Sequence, residues 1–329
     1  MLASDPTARP QRLEDLLDGR LMSRLERLDV RTLKMFPGKL QGERRSKRRG
    51  QSAEFEDYRN YVAGDDLRFI DWNIYARLDR LFIKVLLEEE DLAVHLALDA
   101  SASMNTGRPS KLLFASRLAA ALGYTALVRN NRVGVSVFGR PGASMRRMDD
   151  VRGRHHVRRL GAFLLESVWE GRDRAAGDAG AMESVGRGAG LSDALSTIAR
   201  TRVGKGVMIV LSDFLDPAGY GPGLRALAAA GGYDTYCLQV LSPGEMEPER
   251  EAEQGVAGDL RLTDIETGRA AEVTVTGAVL KRYKERLADY LSELGGFCTA
   301  RDMTHAVLRS DRDVGEVVFG ELRRLGMVG

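Results

Sequence analysis

Cysteine is nearly absent from this 329-residue chain: only Cys237 and Cys298 occur, far apart in sequence and in no metal-ligand spacing. Histidine is almost as scarce, with four residues, of which His155 and His156 are adjacent, and none lies in an H-E-x-x-H pattern. These absences argue against a disulfide-stapled fold and against the common zinc sites. Charge of one sign is also lacking. A net charge of +2 gives no global attraction to nucleic acid or to an anionic membrane. No apolar run of roughly 18 residues is read, so no membrane span is expected. The opening stretch MLASDPTARPQRLEDLLDGR lacks the apolar centre of a signal peptide. The expectation is a protein of a reducing, cytoplasmic compartment.

What is present is enough apolar material for a core, 43% of residues, in a clear order. Residues 11–36 place Leu13, Leu17, Leu21, Met22, Leu25, Leu28 and Leu33 at three- and four-residue steps, an amphipathic helix expected to pack on the protein's own body. A basic run follows, with Arg or Lys at five of the six positions 44–49 and no interleaved aromatics for base stacking. From residue 91 strands and helices alternate. Strands are read at 92–99, 132–139, 144–149, 205–213, 233–241 and 296–302. Helices are read at 109–129, 154–168, 191–201, 220–230, 277–294 and 313–325. Residues 259–275 alternate around a Thr-Gly turn as a hairpin, and 170–190 is a Gly- and Ala-rich loop. Continuous apolar strands between helical segments predict a doubly wound, mostly parallel α/β sheet over 91–329. Residues 1–90 supply an N-terminal helical and extended segment that packs on it.

Two strands end in an acid. The first reads HLALDASAS and ends at Asp99, with Ser101 and Ser103 at alternate positions; the second reads VMIVLSDF and ends at Asp213. A carboxylate at the end of an apolar strand needs solvent, donors or a cation. Asp99, Ser101, Ser103 and Asp213 are hard oxygen donors, suited to Mg²⁺, Mn²⁺ or Ca²⁺. The other reading is local: Ser101 or Ser103 caps the helix that begins near Pro109 or satisfies turn amides, and Asp213 caps the next helix in the same way. Spacing alone leaves both open.

The DASAS stretch followed by VLSD resembles the metal-ion-dependent adhesion site of von Willebrand factor A-type (vWA) domains. That resemblance implies metal ligation by Asp99, Ser101 and Ser103, with Asp213 acting through water. The Thr of the family's loop falls at Ala189, which offers no oxygen, and Ser192 lies three positions late. A second resemblance covers roughly residues 40–325. Residues 50–90 carry Glu54, Phe55, Arg59, Tyr61, Gly64, Asp65, Asp66, Arg68, Ile70, Asp71, Trp72, Ala76 and Arg77 in the signature of the protein family of unknown function numbered 58. Its members place this segment ahead of a vWA-type domain and are thought to act with AAA+ ATPases of the MoxR type.

Three functions are therefore weighed. The first is an adaptor that holds an acidic residue of a protein partner through a cation, alongside a MoxR-type ATPase, with no nucleic acid and no membrane span. The second is a metal-free scaffold, favoured by Ala189. The third, a metal-dependent hydrolase, is disfavoured. An aspartate nucleophile at Asp99 lacks the second acid two residues on, which here is Ser101. Gly134-Val135-Ser136-Val137-Phe138 lacks the final glycine of a serine-hydrolase elbow. No catalytic residue is assigned in the signature segment, where Asp65, Asp66 and Asp71 have no nucleophile beside them.

Overall fold

A computed structural model describes residues 9–32, 54–62, 67, 70–87, 92–169, 189–202, 205–249, 258–263 and 270–329. The basic run 44–49, Asp65 and Asp66, the acidic run 88–91 and most of the loop 170–190 lie outside the described residues. The chain divides into two units. One gathers Met1–Lys39 and Leu92–Gly329, and the other is Leu40–Asp91.

The single N-terminal helix expected over 11–36 is two short ones, α1 (Leu13–Leu16) and α2 (Gly19–Leu25). Asp18 divides them, because its side chain accepts from the Leu21 N–H at 2.7 Å and starts a new helix. Leu16, Leu17, Leu25 and Leu28 are buried in the main core, so the apolar stripe does pack on the body. In the Leu40–Asp91 unit, β1 (Glu54–Asn60) pairs antiparallel with β2 (Phe82–Leu87), and α3 (Trp72–Leu78) lies between them in sequence. Asp71 is the cap of α3: its Oδ1 accepts from the Asn73 and Ile74 N–H groups, and its Oδ2 from the Tyr58 hydroxyl.

The main sheet has six strands in the order β10-β7-β6-β3-β4-β5. They are β3 (Ala93–Asp99), β4 (Arg132–Phe138), β5 (Arg146–Arg152), β6 (Gly206–Ser212), β7 (Tyr233–Leu241) and β10 (Met303–Arg309). All pairings are parallel except that of β5 with β4. A separate hairpin joins β8 (Gly258–Thr263) to β9 (Ala270–Val275). Helices α4 (Lys111–Val128) and α5 (Val157–Trp169) cover one face, together with the N-terminal helices and the C-terminal segment. Helices α6 (Leu191–Thr201), α7 (Gly221–Ala230) and α9 (Gly277–Thr299) cover the other, while α8 (Pro243–Met246) is a single turn after β7. Burial on both faces explains the unbroken apolar runs. Val94, Leu96 and Leu98 of β3 join one core and Ala97 the other.

Two expectations need correction. Against the expectation of no apolar run of that length, α4 is an 18-residue helix long and apolar enough to cross a bilayer by length and composition; 89% of it is buried inside the protein, as in a central core helix. Residues 296–302 are not a strand. α9 runs on to Thr299, and the strand is β10. Leu294 and Cys298, one helical turn apart, are both fully buried, so tertiary burial carries the helix through Gly295-Gly296. The C-terminal helix opens with Asp313 capping Val314–Glu316, then widens into a π-helical turn over Val317–Leu322.

Candidate functional site at the strand switch point

From β3 the sheet continues to β4 and β5 on one side, and to β6, β7 and β10 on the other. β3 and β6 are the neighbours between which the winding reverses, and ligands of open α/β sheets bind beyond the carboxyl ends of such a pair. Asp99 ends β3 and Ser212 ends β6, so the two acidic stretches, distant in sequence, meet here.

On the β3 side, Asp99 is only 5% exposed. Its Oδ1 accepts from the Ser101 N–H at 2.8 Å, and its Oδ2 accepts from the Ser212 hydroxyl at 2.6 Å. The Ser101 hydroxyl also reaches this carboxylate and lies 3.0 Å from the Ser103 hydroxyl. Burial pushes the Asp99 carboxyl up to about 7; the nearby Asp213 pushes the same way, and the serine hydrogen bonds offset only part of this. Gly139, just past β4, has φ +77°, and a Cβ there would lie 2.6 Å from Asp99 Oδ1. A glycine is needed for both reasons.

On the β6 side, Asp213 is 2% exposed and is held from several directions. Its Oδ1 accepts from the Leu215 N–H at 3.1 Å, and its carbonyl accepts from Gln239 Nε2 at 2.9 Å. His305 in turn pairs with Gln239 Oε1 at 3.0 Å. Phe214, buried and bulky, adopts a left-handed φ of 59°, a conformation that costs roughly 1–2 kcal/mol for an L-residue. The turn persists because Phe214 N–H donates to Ser212 Oγ at 2.9 Å and the Tyr290 hydroxyl donates to the Phe214 carbonyl. It aims Asp213 into the crevice.

Lys111, the first residue of α4, crosses to this wall. Its Nζ donates to Asp213 Oδ2 at 2.9 Å and to Glu245 Oε1 at 2.5 Å. Burial by itself would lower the lysine's pKa, but the Asp213 and Glu245 carboxylates outweigh it and raise the value, so the ammonium stays charged. Glu245 Oε2 also accepts from the Ser242 N–H at 2.7 Å, closing the capping box of α8.

The helix-capping part of the local reading does not hold, although Asp213 Oδ1 does satisfy a turn amide, the Leu215 N–H. Ser110 caps α4, its Oγ accepting from the Leu113 N–H at 3.1 Å, and Tyr220, not Asp213, precedes α7. Ser192 faces elsewhere: its hydroxyl donates to the Gly219 carbonyl at 2.6 Å and accepts from the Gly223 N–H at 3.3 Å. The loop holding Ala189 is fixed by Asp216, whose Oδ2 accepts from the Leu191 N–H at 2.6 Å and would lie 2.9 Å from a Cβ at Gly190. Ser212, Lys111 and Glu245 are site residues that the motif reading missed.

A hard divalent cation fits this donor set of carboxylate and hydroxyl oxygens, with Lys111 as a rival for Asp213. Among the described residues no group of three or more His, Cys, Asp and Glu side chains gathers as a metal site. Any ion held here would rely on the serine hydroxyls. Cys237 on β7 and Cys298 on α9 are both buried free thiols that share a hydrogen bond away from these oxygens.

The molecule is thus a doubly wound α/β protein with a carboxylate–hydroxyl crevice at its switch point. The family described as protein of unknown function DUF58 matches residues 57–291, and the chain belongs to it. An uncharacterised protein of Mycobacterium tuberculosis strain H37Rv is 26% identical over 301 residues, 91% of this chain and 88% of its own. One from Mycobacterium avium is 28% identical over 138 residues, 41% of this chain and 77% of its own. Among solved structures, the conserved hypothetical protein BatB of Bacteroides thetaiotaomicron aligns with TM-score 0.39 and 16% identity, over 71% of this chain and 98% of its own. An aerotolerance-related membrane protein of Bacteroides fragilis aligns with TM-score 0.37 and 16% identity, over 71% and 99%.

Proposed function

We propose that the protein is a non-enzymatic, vWA-like interaction adaptor that captures an acidic side chain of a protein partner through a divalent cation, Mg²⁺ or its hard relatives Mn²⁺ and Ca²⁺. One observation carries the reading: a buried carboxylate at Asp99, beside a second at Asp213, is met by the Ser101 hydroxyl, which in turn lies 3.0 Å from the Ser103 hydroxyl. Two carboxylates pressed together in low dielectric favour a proton or a cation between them. Asp99, Ser101 and Ser103 would hold the ion, with Asp213 behind them. The ion would supply a Lewis-acidic position for an incoming carboxylate. A MoxR-type AAA+ ATPase is the proposed working partner, on the strength of the signature segment.

The reading is tested by titrating the protein with Mg²⁺ in a calorimeter and by pulling down the ATPase with and without EDTA. Binding that is lost with EDTA and with Asp99→Ala supports it. Partner capture that survives both unchanged leaves a metal-free scaffold, the reading that the Lys111–Asp213 pair favours.

A further inference from the structure

Lys111 stands where a cation is least welcome. It is the first residue of an 18-residue helix, at the positive end of the helix dipole, and its side chain is 0% exposed. Two carboxylates make this tolerable, Asp213 at 2.9 Å and Glu245 at 2.5 Å. The pairing has a consequence for the crevice. Asp213 has both oxygens engaged, one by the ammonium and one by the Leu215 N–H. Among the described residues, the hydrogen bonds to Asp99 come from neutral donors, the Ser101 N–H and hydroxyl and the Ser212 hydroxyl. A neutral donor orients a carboxylate without cancelling its charge; an ammonium cancels it.

We propose that Lys111 is a resident cation that sets how tightly the crevice takes up a divalent ion, by holding Asp213 in an ion pair and leaving Asp99, Ser101 and Ser103 to bind alone. This rests on the cation reading above. Lys111 weakens binding twice over: it repels the incoming charge and withholds the second carboxylate. Glu245 acts in the opposite sense, because it draws part of the ammonium's charge away from Asp213.

The experiment is Mg²⁺ and Mn²⁺ titration calorimetry on the full chain, with thermal melts in EDTA and in saturating Mg²⁺. Lys111→Met should bind Mg²⁺ about tenfold more tightly than the unaltered protein. In EDTA it should melt about 10 °C lower, because Asp213 is left buried and unpaired, and Mg²⁺ should restore most of that loss. Glu245→Gln should bind about threefold more weakly. Folded Lys111→Met with unchanged or weaker Mg²⁺ affinity overturns the proposal, as does Glu245→Gln that binds more tightly. Should Lys111→Met fail to fold, the direction of change in Glu245→Gln decides. Equal, measurable affinities in all three proteins remove only the role of Lys111. Silence in all three removes the cation reading and this proposal with it.

Discussion

The ends of β3 and β6 bury the same side chain in opposite ways. At β6, Asp213 is paired with an ammonium, its carbonyl is held by Gln239, and the following residue is pinned in a left-handed turn. At β3, Asp99 has hydrogen bonds but, among the described residues, no ion-pair partner, and the acid Asp213 lies near it. One aspartate is an anchor satisfied within the chain. The other is pushed toward its protonated form by burial and by Asp213, and an adaptor would put an ion in the place of that proton.

The widest gap between the two ends should appear with pH. Asp99 has a folded pKa near 7 against an ordinary 3.8. Between these values the folded protein keeps a proton that the unfolded chain has released. The unfolded state therefore binds fewer protons, and stability falls as pH rises. The loss from pH 4 to pH 8 should be about 4 kcal/mol, complete above the folded value. Urea unfolding of the unaltered protein and of Asp99→Asn across this range, both in EDTA, checks it. Asp99→Asn should remove this component of the slope. Parallel curves for the two proteins would mean that Asp99 is already compensated.

Asp213→Asn should cost about 3 kcal/mol at neutral pH, because it leaves Lys111 buried with Glu245 alone. At the same pH Asp99→Asn should be neutral or stabilising, since it removes a charge that burial and Asp213 oppose. Chemical denaturation of the two variants side by side tests the contrast, and similar losses would erase it.

These assignments show which parts of the site were legible in the sequence. α6 and β7 fall at 191–201 and 233–241, as read, because the first carries a periodic apolar stripe and the second is a short stretch rich in aromatic and β-branched residues. Asp99 and Asp213 were legible as acids that end apolar strands. Lys111 was not. A lysine after a capping serine reads as a solvated first turn, and its burial depends on partners from two other elements. Glu245 was hidden by its local role, since Ser242-x-x-Glu245 is already a complete capping box. Phe214 gave no signal at all: nothing in the sequence marks a left-handed aromatic that only tertiary hydrogen bonds hold in place. The misread strand at 296–302 has the same origin. Paired glycines imply a break, and packing of Cys298 on the sheet overrules them.

A smaller effect is expected at the rim of the β3 side. Gly139→Ala forces a Cβ toward Asp99 Oδ1 at a φ of +77°, and about 2 kcal/mol of stability should be lost. Mg²⁺ affinity should fall as well, because the displaced atom belongs to the proposed ligand. A melt and a titration on the same variant separate the two effects; lost stability with unchanged affinity would place the ion away from Asp99.

The smallest change isolates the β6 side. Tyr290→Phe keeps the ring and its edge-on contact with Tyr220 but removes the hydroxyl that donates to the Phe214 carbonyl. A net hydrogen bond is worth about 1 kcal/mol, and that much stability should be lost. The expected signature lies in what stays fixed. The left-handed turn retains the Ser212 hydroxyl, the Leu215 N–H and Lys111, so Asp213 should keep its place and the pH dependence assigned to Asp99 should be unaltered. Were that dependence to shift in Tyr290→Phe, the two strand ends would be mechanically coupled, and the division into an anchored aspartate and a recruiting one would have to give way to a single jointly tuned pair.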